Sequence, residues 1–349
     1  MPPRSSRLRR VSPNAPGWTR RRVGRGFAYL DEHGERLDRE HVTRIKALVI
    51  PPAWERVWIC PDERGHIQAV GVDAAGRRQY LYHPAWREQR DRMKFDRVAE
   101  VAGQLPAARA AIAEHISLDG MPRQRAAATA VRLLDKGYFR IGSDAYADAN
   151  GSFGLTTLEK RHVSRARDRL VFCFVGKSGK EHCIEIDDPL AVAAVETMRR
   201  RRSGGDRLLA YQQARQWRPL DAALVNDYLT ESGVVDMTAK DFRTWHATVL
   251  AAESLATSEE KGATKTSRAR AVRATMKQVA AYLGNTPAVA RSSYVDPRVV
   301  DLYEDGVTIA DAVRTGYADL EQRQAAIERA VLRLLAEAPD WSTRLPRSA

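Results

Sequence analysis

Residues 169–186 read RLVFCFVGKSGKEHCIEI. Apolar and polar positions alternate on both sides of a glycine-containing break, the pattern of two strands joined by a turn. Outside this stretch the period changes. VAEVAGQLPAARAAIAEHI (98–116) and RQRAAATAVRLLDKGYFR (123–140) precede it, and DPLAVAAVETMRRRR (188–202) and TAKDFRTWHATVLAAESLA (238–256) follow, all with apolar residues at helical spacing. Thr238 is the expected N-cap of the last of these. VRATMKQVAAYLG (272–284) and the stretch 308–337 continue the helical pattern. GLTTL (154–158) and HVS (162–164) would add short strands beside the hairpin. A hairpin set among helices predicts a mainly α unit with a small sheet.

The N-terminal part differs. GFAYLD, RVWICP, IQAVGVD and RQYLYH alternate at strand period, with PDERGH and DAAGR as turns. DREHVTRIKALVIPP reads as a helix stopped by Pro51 and Pro52. The whole is α+β: a small β-rich domain (antiparallel sheet plus helix) at 23–90, then a mainly helical domain at 91–349. The Arg-, Ser- and Pro-rich residues 1–22 are expected to form a flexible basic arm. A charged helix, PAWREQRDRMKFDRV (84–98), carries the chain from one domain to the next.

With 349 residues, the chain exceeds the size at which single cores usually divide. Its 57 Lys and Arg outweigh 44 Asp and Glu, for a net charge of +13. That balance favours a polyanionic partner, DNA or RNA first. Three cysteines (Cys60, Cys173, Cys183) imply no disulfide framework and fit a reducing cytoplasm. Cys173 and Cys183 are expected as small buried residues of the strand pair. The N-terminus lacks the apolar segment of a signal peptide, and no run approaches the ~20 apolar residues of a membrane span.

Five residues carry chemistry: Arg140 in FRIGSDAY, Lys177 in FVGKSGK, Arg243 in KDFRTWH, and Asn285 and Tyr294 in GNTPAVARSSY. A tyrosine can attack a phosphodiester and hold the broken end covalently. Guanidiniums suit the charge of the pentacoordinate phosphorus, and an ammonium at a hairpin tip can protonate the departing oxygen. A free phenol has a pKa of about 10, so cationic neighbours are required to make it a nucleophile at pH 7. Asn285 cannot titrate, which leaves it the role of hydrogen-bond donor. The GKS triplet does not form a phosphate-binding loop, because Val171 stands where that motif requires glycine and a strand follows it. No metal centre is evident, and neither metal nor nucleotide cofactor is expected.

On the N-terminal sheet, GRRQYLYH (76–83) places Gln79, Tyr80 and Tyr82 on one strand, with Tyr80 expected to face opposite to the other two. Arg77 and Arg78 could hold phosphates while Gln79 reads base edges. Arg199 to Arg202 could track phosphates at a helix end, or be a solvated face.

Taken in order, IPPAW, GRRQYLY, FRIGSDAY, LTTLEKRHV, FVGKSGK, KDFRTWH and GNTPAVARSSY resemble the type IB DNA topoisomerases, in their compact poxvirus and bacterial branch. The likeness spans residues 23 to 337. It implies Tyr294 as the nucleophile forming a 3′-phosphotyrosine, Arg140 and Arg243 as transition-state stabilisers, and Lys177 as general acid. It also implies major-groove contacts by Gln79, Tyr80 and Tyr82, a DNA contact by Tyr146, and a two-lobed clamp around duplex DNA. Poxvirus relatives have histidine where this chain has Asn285. The default assembly is a monomer on double-stranded DNA, with no membrane. Two alternatives share the features: a tyrosine site-specific recombinase, whose second arginine usually closes an H-x-x-R pattern where this chain has Lys240, and a catalytically inactive basic DNA-binding protein.

Overall fold

The computed structural model describes residues 7–144, 147, 151–258 and 264–338. Contacts divide the chain into two units, residues 1–94 and 95–349.

The first unit is an antiparallel sheet in the order β2-β1-β3-β4-β5, from strands Trp18–Val23 (β1), Gly26–Leu30 (β2), Glu55–Ile59 (β3), Ile67–Val72 (β4) and Arg78–Tyr82 (β5). Helix Arg39–Ala47 (α1) packs Ile45 against Trp18, Ile50, Val57, Ile59 and Ala69. Its start is set by Asp38, whose carboxylate accepts from His41 N at 2.9 Å. It ends before the Pro51–Pro52 pair: Leu48 caps it, and Val49 turns to a positive φ of 52°.

Of the stretch 1–22, expected as a flexible arm, residues 18–22 belong to this sheet. Strand β1 begins at Trp18, whose indole is buried. Arg20 donates to the carbonyls of Ile50, Pro51 and Trp54. Upstream, Val11 N donates to His66 Nδ1, and Trp58 Nε1 donates to Ala15 O. Aromatic burial and arginine-to-carbonyl bonds therefore fasten a stretch whose composition alone suggests a tail.

Helix Pro84–Ala102 (α2) runs through the junction, and the second unit continues with Leu105–Ile116 (α3) and Arg123–Gly137 (α4). The antiparallel sheet β6-β7-β8 follows, from Val163–Ala166, Arg169–Val175 and Glu181–Ile186. Then come Pro189–Arg199 (α5), the small hairpin Ala210–Gln213 (β9) and Gln216–Pro219 (β10), Ala222–Glu231 (α6) and Ala239–Thr257 (α7). The chain closes with Lys265–Leu283 (α8), Pro287–Ser293 (α9), Pro297–Glu304 (α10), Ala310–Arg314 (α11) and Leu320–Ala336 (α12).

Alanine-rich α4 has high helix propensity and almost no exposed face: Ala126, Ala127, Ala128, Ala130, Val131, Leu133 and Leu134 are all fully buried. Helix α7 is likewise central, burying Phe242, Trp245 and Ala251; large side chains of this kind contribute ~1.5–3 kcal/mol each when removed from water. Thr238 caps α7 in a reciprocal box with Asp241. One ionic cluster sits in this core. Arg109 on α3 binds Asp135 of α4 at 2.8 Å and Glu328 of α12 at 2.7 Å, while His246 of α7 meets Asp135 at 3.0 Å.

Three other expectations are corrected. GLTTL forms a 3-10 turn over Leu155–Thr157 instead of a strand, because Thr157 Oγ1 bonds back to Gly154. Cys173 and Cys183 are opposite one another on β7 and β8, exposed, and joined as a disulfide with Cα atoms 4.2 Å apart. Strand alternation puts Phe172 and Phe174 inward and leaves Cys173 outward. Arg201 is buried, donating to the carbonyls of Met198 and Leu208, so it braces the loop after α5 instead of presenting charge. Among the described residues no helix is long and apolar enough to cross a membrane.

Candidate active site

The site assembles from three places where helices of the second unit end. The first is the close of α4. Tyr138 caps it in the left-handed region (φ 57°, ψ 26°), a conformation that costs a non-glycine residue of the order of 1–3 kcal/mol. The turn delivers Phe139 to the core and Arg140 to the site. The second is the close of α8 at Gly284, which is left-handed at φ 63°, so Asn285 N reaches Ala280 O at 2.8 Å. The third is the close of α9 at Tyr294, between that helix and Asp296, the N-cap of α10, with Pro297 as its first residue.

These ends converge on α7. Arg243 is buried and donates through its two terminal nitrogens to the carbonyls of Tyr138 and, at 2.7 Å, Leu283. Its guanidinium carbon lies 5.4 Å from the centre of the Tyr294 ring. Five residues further along α7, Thr248 Oγ1 donates to Thr244 O at 2.9 Å and, at 3.3 Å, to Tyr294 O, and accepts from Asp296 N at 3.1 Å. A single helix thus carries both the cation that faces the phenol and the hydroxyl that pins the phenol's backbone. Arg140 donates to Asn285 Oδ1 at 2.6 Å.

Electrostatics follow from this packing. Burial alone pushes the Tyr294 phenol up, but the charge and hydrogen bond of Arg243, with Arg140 and Lys240, outweigh it and bring the phenol below its ordinary value. Arg243 is lowered as well, to about 10, by burial first and then by the neighbouring Arg140 charge. Asn285 Nδ2 and Arg243 Nε are buried without a protein hydrogen-bond partner, an arrangement that suits a ligand supplying acceptor oxygens.

Lys177 stands exposed at the tip of the β7–β8 hairpin. Its tip meets the other residues through a neighbour: Lys180 Nζ donates to Asn285 O at 3.3 Å. Four of the five sequence-predicted residues are therefore in direct register, and the fifth is on an element tied to them. The nearby Tyr303 is buried in the core. Sequence reasoning missed Tyr138, Thr248 and the influence of Lys240 on the phenol. Lys240 lies three residues before Arg243 on α7, a helical spacing that could have found it.

In the first unit, β5 is an edge strand. Tyr80 and Tyr82 share its exposed face and stack with ring centres 5.9 Å apart, and Arg78 lies 5.7 Å over Tyr80. Strand alternation requires this: residues two apart face the same way, so Gln79 is the one on the opposite face. Gln79 donates to Asp73 at 2.9 Å, and Arg77 pairs with the same carboxylate at 2.8 Å. Tyr146 lies outside the described residues. Among the described residues no group of three or more His, Cys, Asp or Glu side chains could hold a metal ion.

Residues 83–312 match the family model described as eukaryotic DNA topoisomerase I, catalytic core, and residues 26–73 match bacterial DNA topoisomerase IB, N-terminal domain. Among curated relatives, DNA topoisomerase 1B of Acanthamoeba polyphaga mimivirus is 27% identical over 284 residues, 79% of this chain and 84% of its own length. DNA topoisomerase I of monkeypox virus is 22% identical over 267 residues, 76% of this chain and 81% of its own. DNA topoisomerase 1B of vaccinia virus (strain Copenhagen) matches to the same extent.

Proposed function

This chain belongs to the type IB DNA topoisomerases, a family that cuts and rejoins DNA strands, and from that premise we propose that it relaxes supercoiled DNA through a 3′-phosphotyrosine intermediate. The Tyr294 oxygen attacks the scissile phosphorus and the bond to the 5′-oxygen breaks. Lys177 gives its proton to that oxygen. Arg140, Arg243 and the Asn285 amide hold the nonbridging oxygens as charge accumulates on them. Reversal of the same steps reseals the strand. One phosphoester replaces another, so the cycle draws on neither ATP nor a metal. The observation that carries this reading is the Arg243 contact with the Tyr294 phenol, which lowers the phenol's pKa against the effect of burial.

The same reading has the two units act as the lobes of a clamp on duplex DNA. The protein works as a cytoplasmic, nucleoid-associated monomer, with Arg77, Arg78, Gln79, Tyr80 and Tyr82 contacting DNA, Tyr80 and Tyr82 from one face of β5, and Tyr146 also touching it. Gln79 and Arg77 would exchange Asp73 for DNA groups on binding. The test is relaxation of a supercoiled plasmid in EDTA without ATP. Wild type relaxes it and leaves a covalent protein–DNA adduct; Tyr294→Phe does neither. A Tyr294→Phe variant that relaxes as well as wild type would remove the nucleophile assignment.

A further inference from the structure

His182 lies on β8, two residues past Lys180, and its imidazole occupies a slot between two glycines. A Cβ placed on Gly176 would stand 2.6 Å from His182 Cδ2, and one placed on Gly284 would stand 2.1 Å from His182 Cε1. No real Cβ approaches so closely, so a side chain at either position would evict the ring. Gly176 has an ordinary extended backbone (φ −98°), which leaves the imidazole as the steric reason that it lacks a side chain. Gly176 immediately precedes Lys177, and Gly284 immediately precedes Asn285. The ring is thus the spacer between the residues before the proton donor and before the phosphate-binding amide.

Other contacts fix the ring. It stacks on Phe174 with centres 5.5 Å apart, and Phe174 is itself buried. Gly176 N donates to Lys180 O at 2.7 Å, closing the hairpin tip above it. Lys180 then reaches across to Asn285 O. His182, Gly176, Arg140 and Arg243 line one cavity of about 20 Å³, room for roughly a single water. Burial, and then the charges of Arg140, Arg243 and Lys180, hold the imidazole below its ordinary pKa, so the spacer is a neutral ring among cations. Its Nε2 is buried with no protein partner, so no hydrogen bond through that atom holds it.

We propose that His182 is a positioning residue for the proton donor: its ring, wedged between Gly176 and Gly284, sets the Lys177 hairpin tip against the Asn285 turn. The inference rests on the proposed role of Lys177. Loss of the ring lets the tip drift, and a misplacement of about 1 Å can cost ~10² in rate.

The test compares single-turnover cleavage of ordinary duplex DNA with cleavage of the same duplex carrying sulfur in place of the scissile 5′-oxygen, whose thiolate departs without a proton. His182→Ala is expected to cleave ordinary DNA ~10²-fold more slowly and to come within a few-fold of wild type on the sulfur substrate. Gly176→Ala, which pushes the ring out, should show the same pattern. The double variant should cleave ordinary DNA faster than Gly176→Ala alone, because the added methyl enters the vacated slot. Equal losses on both substrates, or no loss on either, would overturn the proposal, since an unfolded site or a direct phosphate contact is not repaired by a better leaving group. Lys177→Ala measured alongside separates the two levels. If it too stays slow on the sulfur substrate, the proton-donor assignment fails; if it alone recovers, only the His182 inference does.

Discussion

Arg140 grips Asn285 by its side-chain oxygen, Nη2 to Oδ1 at 2.6 Å. A guanidinium has only donors, so the amide atom facing it must be the oxygen, and the orientation of Asn285 is settled by chemistry. Its Nδ2, buried without a protein partner, is the group left for a ligand.

That orientation predicts a ranking of substitutions. Asn285→Asp keeps the partner of Arg140 but replaces a donor by a second acceptor. It should slow cleavage ~10²–10³-fold, the usual cost of losing an oxyanion donor. Asn285→His supplies a donor again and should stay close to wild type. Single-turnover rates decide it; a fast Asp variant would mean the amide does not donate.

Tyr294 and Arg243 predict a pH dependence. The phenolate fraction grows with pH, so cleavage should rise and level off with a midpoint below the ordinary phenol value of about 10. Arg243→Ala removes the largest favourable influence. It should shift that midpoint upward and lower the plateau ~10²–10³-fold. An unmoved midpoint would show that Arg243 does not govern the phenol.

The ionic cluster in the core predicts how the fold responds to acid. Burial alone would raise the Asp135 carboxyl, but Arg109 and His246 reverse this and hold it well below the ordinary range. A carboxylate depressed in the folded state contributes stability that is complete above its unfolded pKa and lost as pH falls through that range and below. Arg109→Met should cost ~3–5 kcal/mol near neutrality, because it leaves Asp135 and Glu328 buried without their cation. Urea denaturation at pH 7 and at pH 3 measures both effects; equal stabilities of the two proteins at pH 7 would discount the cluster.

The stacked pair Tyr80 and Tyr82 should matter for binding and not for chemistry. Removing either ring is expected to weaken DNA affinity or move the preferred cleavage sites, with the rate from the bound state unchanged. Footprinting and single-turnover cleavage at saturating protein separate the two. Identical footprints would place these rings outside the interface.

How much of this could be read from the chain depended on the kind of signal. The β7–β8 hairpin and the long helices announce themselves through period, and Arg140, Lys177, Arg243, Asn285 and Tyr294 through residue type in order. The β9–β10 hairpin did not, because its turn residues Ala214 and Arg215 take positive φ without the usual Asn or Gly. The anchoring of Ala15 and Arg20 rests on carbonyls, to which sequence patterns are blind. The disulfide between Cys173 and Cys183 needed the register that sets them face to face. Tyr138 and Thr248 act through backbone atoms or a hydroxyl in the core, and neither residue type advertises such a role.

Arg243 takes its direction from the peptide oxygens of Tyr138 and Leu283. Every amino acid offers that same oxygen, so the identities at 138 and 283 can wander through evolution without turning the guanidinium, provided the two helix ends stay put. A centre steered by main chain does not depend on which side chains its neighbours carry.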